Sequence, residues 1–283
     1  MLHRSSSRWS VAAVLVAMVL SGAAHTGRTA ATEPPVRRAS EAYVPVPGGE
    51  FRSVLPGDTA GAAPHVEPFA LQRRPVTNRE YLDFVRSHPS WQRGQVPPTL
   101  ADGRYLEHWQ GPLDLGARAA ADQPVTHVSW SAARAYCESG QARLPTWIEW
   151  EFAAAADEHV ADARHDPVWR QAILAALVRT PGAPLPAVGL KAPNSYGIQD
   201  LHGLVWEWVE NFDTLFMPRG HEHAGMVMSA GDTAMSCGAA ALSVSDPENY
   251  PMILRLAVLS SLNRSSTTGD LGFRCARSTA DRR

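Results

Sequence analysis

Residues 194–210 read NSYGIQDLHGLVWEWVE, and no other stretch of this chain narrows its fold as sharply. Within it, residues 196–208 pack two Trp, one Tyr, two Gly and two carboxylates into thirteen positions. Two physical readings are open. In one, the stretch is a buried connection: Gly197 and Gly203 supply left-handed turns, and Trp206 and Trp208 anchor a core. In the other it is a cation loop. Asp200 and Glu207 then offer carboxylate oxygens while the Gly203 and Val205 carbonyls turn inward, the all-oxygen ligand set that a hard cation such as calcium takes. Irregular aromatic turns are common, so spacing alone favours the first reading.

The pattern YG-x-x-D-L-x-G-x-V-W-E-W resembles the signature of the formylglycine-generating enzyme, or sulfatase-modifying factor, family. Further segments carry the resemblance in the family's order: V-P-G-G-E-F before position 52, P-V-T-N-x-x-Y-x-x-F over 75–84, P-V-x-x-V-S-W over 124–130, A-x-x-Y-C over 133–137, R-L-P-T-x-x-E-W-E-x-A-A over 143–154 and L-G-F-R-C over 271–275. The resemblance implies an α+β fold, irregular and loop-rich, of the C-type-lectin-like kind with little regular secondary structure. It also implies a structural calcium at Asp200, Gly203, Val205 and Glu207.

A length of 283 residues, 45% hydrophobic, suits one large domain or two small ones, and a net charge of −2 argues against a nucleic-acid partner. Nine Trp, 22 Pro and 21 Gly point to loops pinned by aromatic rings rather than a helical bundle. The N-terminus reads as a secretory signal: Arg4 and Arg8, an apolar run over 11–20, then Gly22-Ala23-Ala24 as a cleavage site. That run is short for a bilayer span, so cleavage is expected and no membrane attachment afterwards. The chain divides into a signal peptide (1–24), a disordered leader (25–42), the family-like domain (43–277) and a tail (278–283). The expected location is periplasmic or secreted, and the expected partner a periplasmic protein or peptide.

Local chemistry predicts most elements. Residues 43–51 read as an edge strand entering a hairpin. Thr77 or Asn78 caps a helix burying Tyr81, Leu82, Phe84 and Val85. Residues 87–122 read as a surface excursion, 123–130 as a strand ending in a Ser cap, and 131–137 as a helix. His127 is the polar oddity there, read as a satisfied structural histidine. Thr146 and Glu149 form a capping box. Glu149 and Glu151 suggest an acid/base pair, but capping and an arginine partner account for them without catalysis. Residues 167–178 form an extra helix where the family's catalytic members contribute ligands to a further calcium, so that second site is not expected.

The chain has three cysteines, Cys137, Cys237 and Cys275. In an oxidising compartment an odd count leaves one thiol over, and spacing does not say which. The resemblance does: it implies a Cys137–Cys275 disulfide, leaving Cys237. Members that make formylglycine place a Cys-x4-Cys pair here, whose two thiolates suit Cu(I). Five residues beyond Cys237 stands Leu242, and the family's Gly-Gly-Ser reads Ala230-Gly231-Asp232. The candidate catalytic set is therefore Cys237 with Asp232 and Arg255. His221 and His223, with Met217, Met226 and Met228, offer alternative copper ligands, against which stands a solvated loop. Residues 255–277 match the family's closing strands. WEWVENF, SCGA and LSSL followed by LGFRC resemble the NirV branch, which accompanies copper nitrite reductases. The resulting expectation is oxidase-type modification or maturation of a partner. The alternatives are a non-catalytic binding or assembly module and a copper-delivery protein.

Overall fold

Among the described residues, seven strands of two to four residues and five short α-helices are joined by long irregular segments. A computed structural model describes residues 42–55, 64–178, 183–215, 246 and 248–279. The main sheet has the order β1-β4-β7. Its centre is β4 (Phe69–Gln72), where Phe69, Ala70 and Leu71 are all buried, as expected of a strand covered on both faces. Strand β1 (Tyr43–Val46) runs antiparallel to it with Tyr43 opposite Gln72, and β7 (Ala276–Ser278) flanks the other edge with Ala276 opposite Leu71. Two small ladders complete the strands: β2 (Gly49–Glu50) with β3 (His65–Val66), and the parallel pair β5 (Trp206–Glu207) and β6 (Leu271–Gly272).

Helix α1 (Asn78–Ser87) starts in a capping box: Thr77 accepts from the Glu80 amide and the Glu80 carboxylate accepts from the Thr77 amide. Its Tyr81, Leu82, Phe84 and Val85 are buried. Helix α2 (Trp130–Ser139) is capped by Ser129, and α3 (Trp147–Ala154) by the Thr146–Glu149 box. Helix α4 (Pro167–Leu177) starts with the Asp166 cap and Pro167 at its first position, where a missing N–H costs nothing. A disulfide joins Cys137 in α2 to Cys275, with Cα atoms 5.6 Å apart.

Three expectations are corrected. Residues 250–260 form helix α5 (Tyr250–Ser260), not a closing strand. Pro251 starts it, and the buried positions Met252, Arg255, Leu256 and Leu259 recur at helical spacing. Residues 123–130 form no strand, because the backbone changes partner along its length: the Val125 amide donates to Val76, the His127 amide to Thr268. The excursion over 87–122 is irregular but not superficial. Tyr105 and Trp109 are buried in it, the Tyr105 hydroxyl lying 2.7 Å from that of Tyr81 and the Trp109 indole donating to Asn78 Oδ1 at 3.0 Å.

Candidate functional site

Asn194 sets the conformation of the signature stretch. Its Oδ1 accepts from the amides of Tyr196 and Ile198 at 3.2 and 3.0 Å, and its Nδ2 donates to the Ala153 carbonyl at 2.8 Å. Gly197 and Gly203 have φ of +85° and +80°, and Asp200, less usually for a residue with a Cβ, +60°. At Gly203 an added Cβ would stand 2.7 Å from that of Ala176, so α4 rests directly on the loop. The two Trp then part company: Trp208 is wholly buried and donates to the Val128 carbonyl at 2.9 Å, whereas Trp206 lines a cleft.

Glu207 is completely buried against Arg274. Its Oε1 accepts from Arg274 Nη2 at 2.8 Å, and its Oε2 from Arg274 Nε at 2.8 Å and from the Trp150 indole at 2.7 Å. Arg274 also donates to the carbonyls of Gln72, Arg73 and Gln199. Asp200 Oδ2 accepts from the Gly189 amide at 2.5 Å. Glu207 spends three of about four acceptor positions on a guanidinium and an indole N–H, and the buried guanidinium repels a dication. The calcium ligand set Asp200, Gly203, Val205 and Glu207 does not fit this geometry. Among the described residues no three His, Cys, Asp or Glu side chains gather as metal ligands.

Arg255, of the candidate catalytic set, is buried away from the cleft. It lies 3.6 Å over the Trp150 ring and donates through Nη2 to the Glu207 carbonyl at 2.5 Å, and it does not line the cleft. Burial pulls its guanidinium down to about 9. Cys237 and Asp232 lie outside the described residues, as do His221, His223 and Met217, Met226 and Met228. Glu149 and Glu151 have structural duties. Glu149 caps α3 and binds Arg143 through both oxygens at 2.6 and 2.7 Å. Glu151 accepts from Ser53 Oγ, the Val54 amide and the Trp147 indole, and its arginine neighbour, Arg164, stands farther off at 3.9 Å. Burial raises the Glu151 carboxyl.

The cleft has a volume of about 820 Å3. Residues 203–206 of the signature stretch line it, facing His108, Gln123, His127 and Asp270. Here a sequence expectation fails, because His127 is not satisfied: its Nδ1 is buried without a hydrogen-bond partner. Its neighbour His108, which no local motif marks, has neither ring nitrogen paired. Burial holds His108 down at about 3, and lowers His127 against the opposing pull of Glu107. The His108 ring is therefore neutral near pH 7.

Comparison with known proteins points to the same family. Residues 29–279 match the family described as the Sulfatase-modifying factor enzyme 1-like domain. The inactive Cα-formylglycine-generating enzyme 2 of Mus musculus is 28% identical, over 84% of this chain and 86% of its own length. The formylglycine-generating enzyme of Thermomonospora curvata is 27% identical, over 84% of this chain and 93% of its own. The hercynine oxygenase of Mycolicibacterium smegmatis is 32% identical, over 59% of this chain and 44% of its own.

Proposed function

We propose that this chain, which belongs to the sulfatase-modifying factor enzyme 1-like family, is exported and acts on a segment of a periplasmic partner protein or peptide by an oxidase-type modification or maturation distinct from formylglycine formation. The observation that carries this reading is the cleft beside the signature loop. At about 820 Å3 it falls within the usual range of ligand sites, and indole, aliphatic, amide, imidazole and carboxylate groups share its wall. Such a surface suits an extended peptide, whose backbone needs polar partners and whose side chains need apolar ones.

The thiol inventory bounds the chemistry. Of three cysteines, two form the disulfide, so a two-thiolate Cu(I) centre does not fit the chain. Cys237 is the thiol left to engage a metal or a substrate, with Asp232 near it in sequence. The NirV-like segments make a component of copper nitrite reduction the natural partner. The basic, apolar and small-residue regions over 1–24 support export.

The same thiol count favours a second reading, a non-catalytic binding or assembly module, and relatives named as inactive give it further support. A copper-delivery role through Cys237, His221 and His223 is its variant. The deciding experiment is Cu(I) titration of the mature protein beside Cys237→Ser, followed by oxygen-electrode measurements with thiol-containing peptides. One tightly held Cu(I) that disappears in the variant, together with peptide-dependent oxygen uptake, supports the oxidase. Copper without uptake supports delivery. Neither binding nor uptake overturns both and leaves the binding module.

A further inference from the structure

One cluster in the cleft wall has a geometry that the function proposed above does not use. His108 and His127 face each other with ring centres 4.9 Å apart and planes inclined by 32°. Both ring nitrogens of His108 are buried and unpaired, and His127 Nδ1 faces Glu107 Oε1 at 3.5 Å without a hydrogen bond. Orphaned polar atoms of this kind are rare, and each marks a missing water, an ion or a functional role. The backbone is also constrained there. His127 has φ +53°, a left-handed conformation uncommon for a non-glycine residue. It is held by the bond from its amide to Thr268 and the bond its carbonyl accepts from Leu106, both 2.9 Å.

We propose that His108 and His127 form a two-imidazole site for a borderline transition-metal dication, zinc or copper(II), with its remaining positions open to the cleft. The spacing fits. An ion about 2.1 Å from one nitrogen of each ring lies about 3.3 Å from each ring centre, so the 4.9 Å separation corresponds to a bent arrangement of roughly 100°. Glu107 Oε1 stands 3.5 Å from His127 Nδ1, where a carboxylate orients a metal-binding imidazole through its other nitrogen. That leaves His127 Nε2 as the donor. Gly269 keeps its approach clear, since a Cβ there would lie 3.1 Å from Nε2.

The surrounding charges are mixed. Arg93 and Arg118 oppose a dication at His108 and Arg104 opposes one at His127, while Glu107, Asp102 and Asp270 attract it. No third His, Cys, Asp or Glu among the described residues completes the shell. The ion is consequently exchangeable, and water fills its other positions.

The test is calorimetric titration of the full mature chain with zinc and with copper(II), repeated in a His221→Ala/His223→Ala/Cys237→Ser background to silence the other soft ligands. One ion per chain is expected in both proteins. Affinity should fall at least tenfold in His108→Ala and in His127→Ala, and less in Glu107→Gln. Gly269→Ala should also weaken binding while keeping both imidazoles, which separates blocked access from a lost ligand. Circular dichroism and melting confirm that each variant is folded. Unchanged affinity in the His108→Ala/His127→Ala protein, or no binding by the background protein, overturns the site. Neither result depends on whether the cleft holds a partner segment.

Discussion

Replacing Arg274 by Met removes five hydrogen bonds at once: two to Glu207 and one each to the carbonyls of Gln72, Arg73 and Gln199. Glu207 stays behind, wholly buried, its carboxylate bonded to the Trp150 indole and its backbone carbonyl to the Arg255 guanidinium. Breaking a buried ion pair from one side costs about 3–5 kcal/mol, and the stranded carbonyls take the expected loss to about 5. Domains are stable by only about 5–15 kcal/mol, so the variant should sit near its unfolding midpoint in dilute urea. Arg274→Lys keeps the charge but loses the forked geometry, and should lose roughly half as much. The informative protein is the double variant Glu207→Gln/Arg274→Met. With the carboxylate charge removed as well, it should recover on the order of 1 kcal/mol relative to Arg274→Met alone, the gain being limited by the buried Arg255 guanidinium, which loses the charge of its neighbour Glu207. Urea titration followed by tryptophan fluorescence measures all four proteins. A loss below about 1 kcal/mol in Arg274→Met would refute the claim that this pair holds the signature loop in place.

Four further outcomes follow from the geometry. Because Glu207 is already engaged by Arg274, melting in excess calcium and melting in chelator should coincide; a chelator-induced drop of several degrees would restore the calcium loop. Replacing Cys137 and Cys275 by Ala opens a loop spanning 138 residues and should cost about 5 kcal/mol on the chain-entropy account, read from the urea midpoint. His202 stands edge-on to Trp150 and Trp169, and burial lowers it to about 4 from an ordinary 6.5, so its neutral form stabilises the fold fully above pH 6.5 and loses that contribution as pH falls toward 4. Since the ring is partly exposed, that loss is on the order of 2 kcal/mol, and His202→Phe should flatten the stability profile across that window. Gly203→Ala combines a left-handed backbone with a contact of 2.7 Å to Ala176, and should lower stability by about 2 kcal/mol in thermal melts.

The sequence was readable where the physics is local. Thr146 and Glu149, three apart, read directly as a capping box and form one, and Thr77, one of two caps the sequence offered for the first helix, forms a box with Glu80. The Gly197 and Gly203 turns are equally local, although Asp200 shares their left-handed backbone without the residue type that announces it. Helix α5 had a legible signal in Pro251 and the spacing of Met252, Leu256 and Leu259, which the expected closing strand obscured. Glu207 and Arg274 are 67 positions apart, and only the parallel pairing of β5 with β6 brings them together. The same holds for His108 and His127. His127 stands out in sequence as a polar oddity and His108 not at all, and the pair forms because the excursion after α1 packs inward instead of lying on the surface.

The position of β7 has a consequence for the order of assembly. The central strand β4 lies near the start of the domain, yet one of its edges is completed only by residues 276–278. The disulfide and the Arg274 network also draw on residues 274 and 275. A nascent chain that ends before residue 271 therefore has the signature loop but lacks the guanidinium that holds it, and lacks the strand that closes the sheet. Contacts so distant in sequence slow folding, because loop closure must precede the interactions that reward it. Synthesis alone cannot lock this fold early; the domain stays threadable until almost all of it has been made, a property that suits the proposed passage across a membrane.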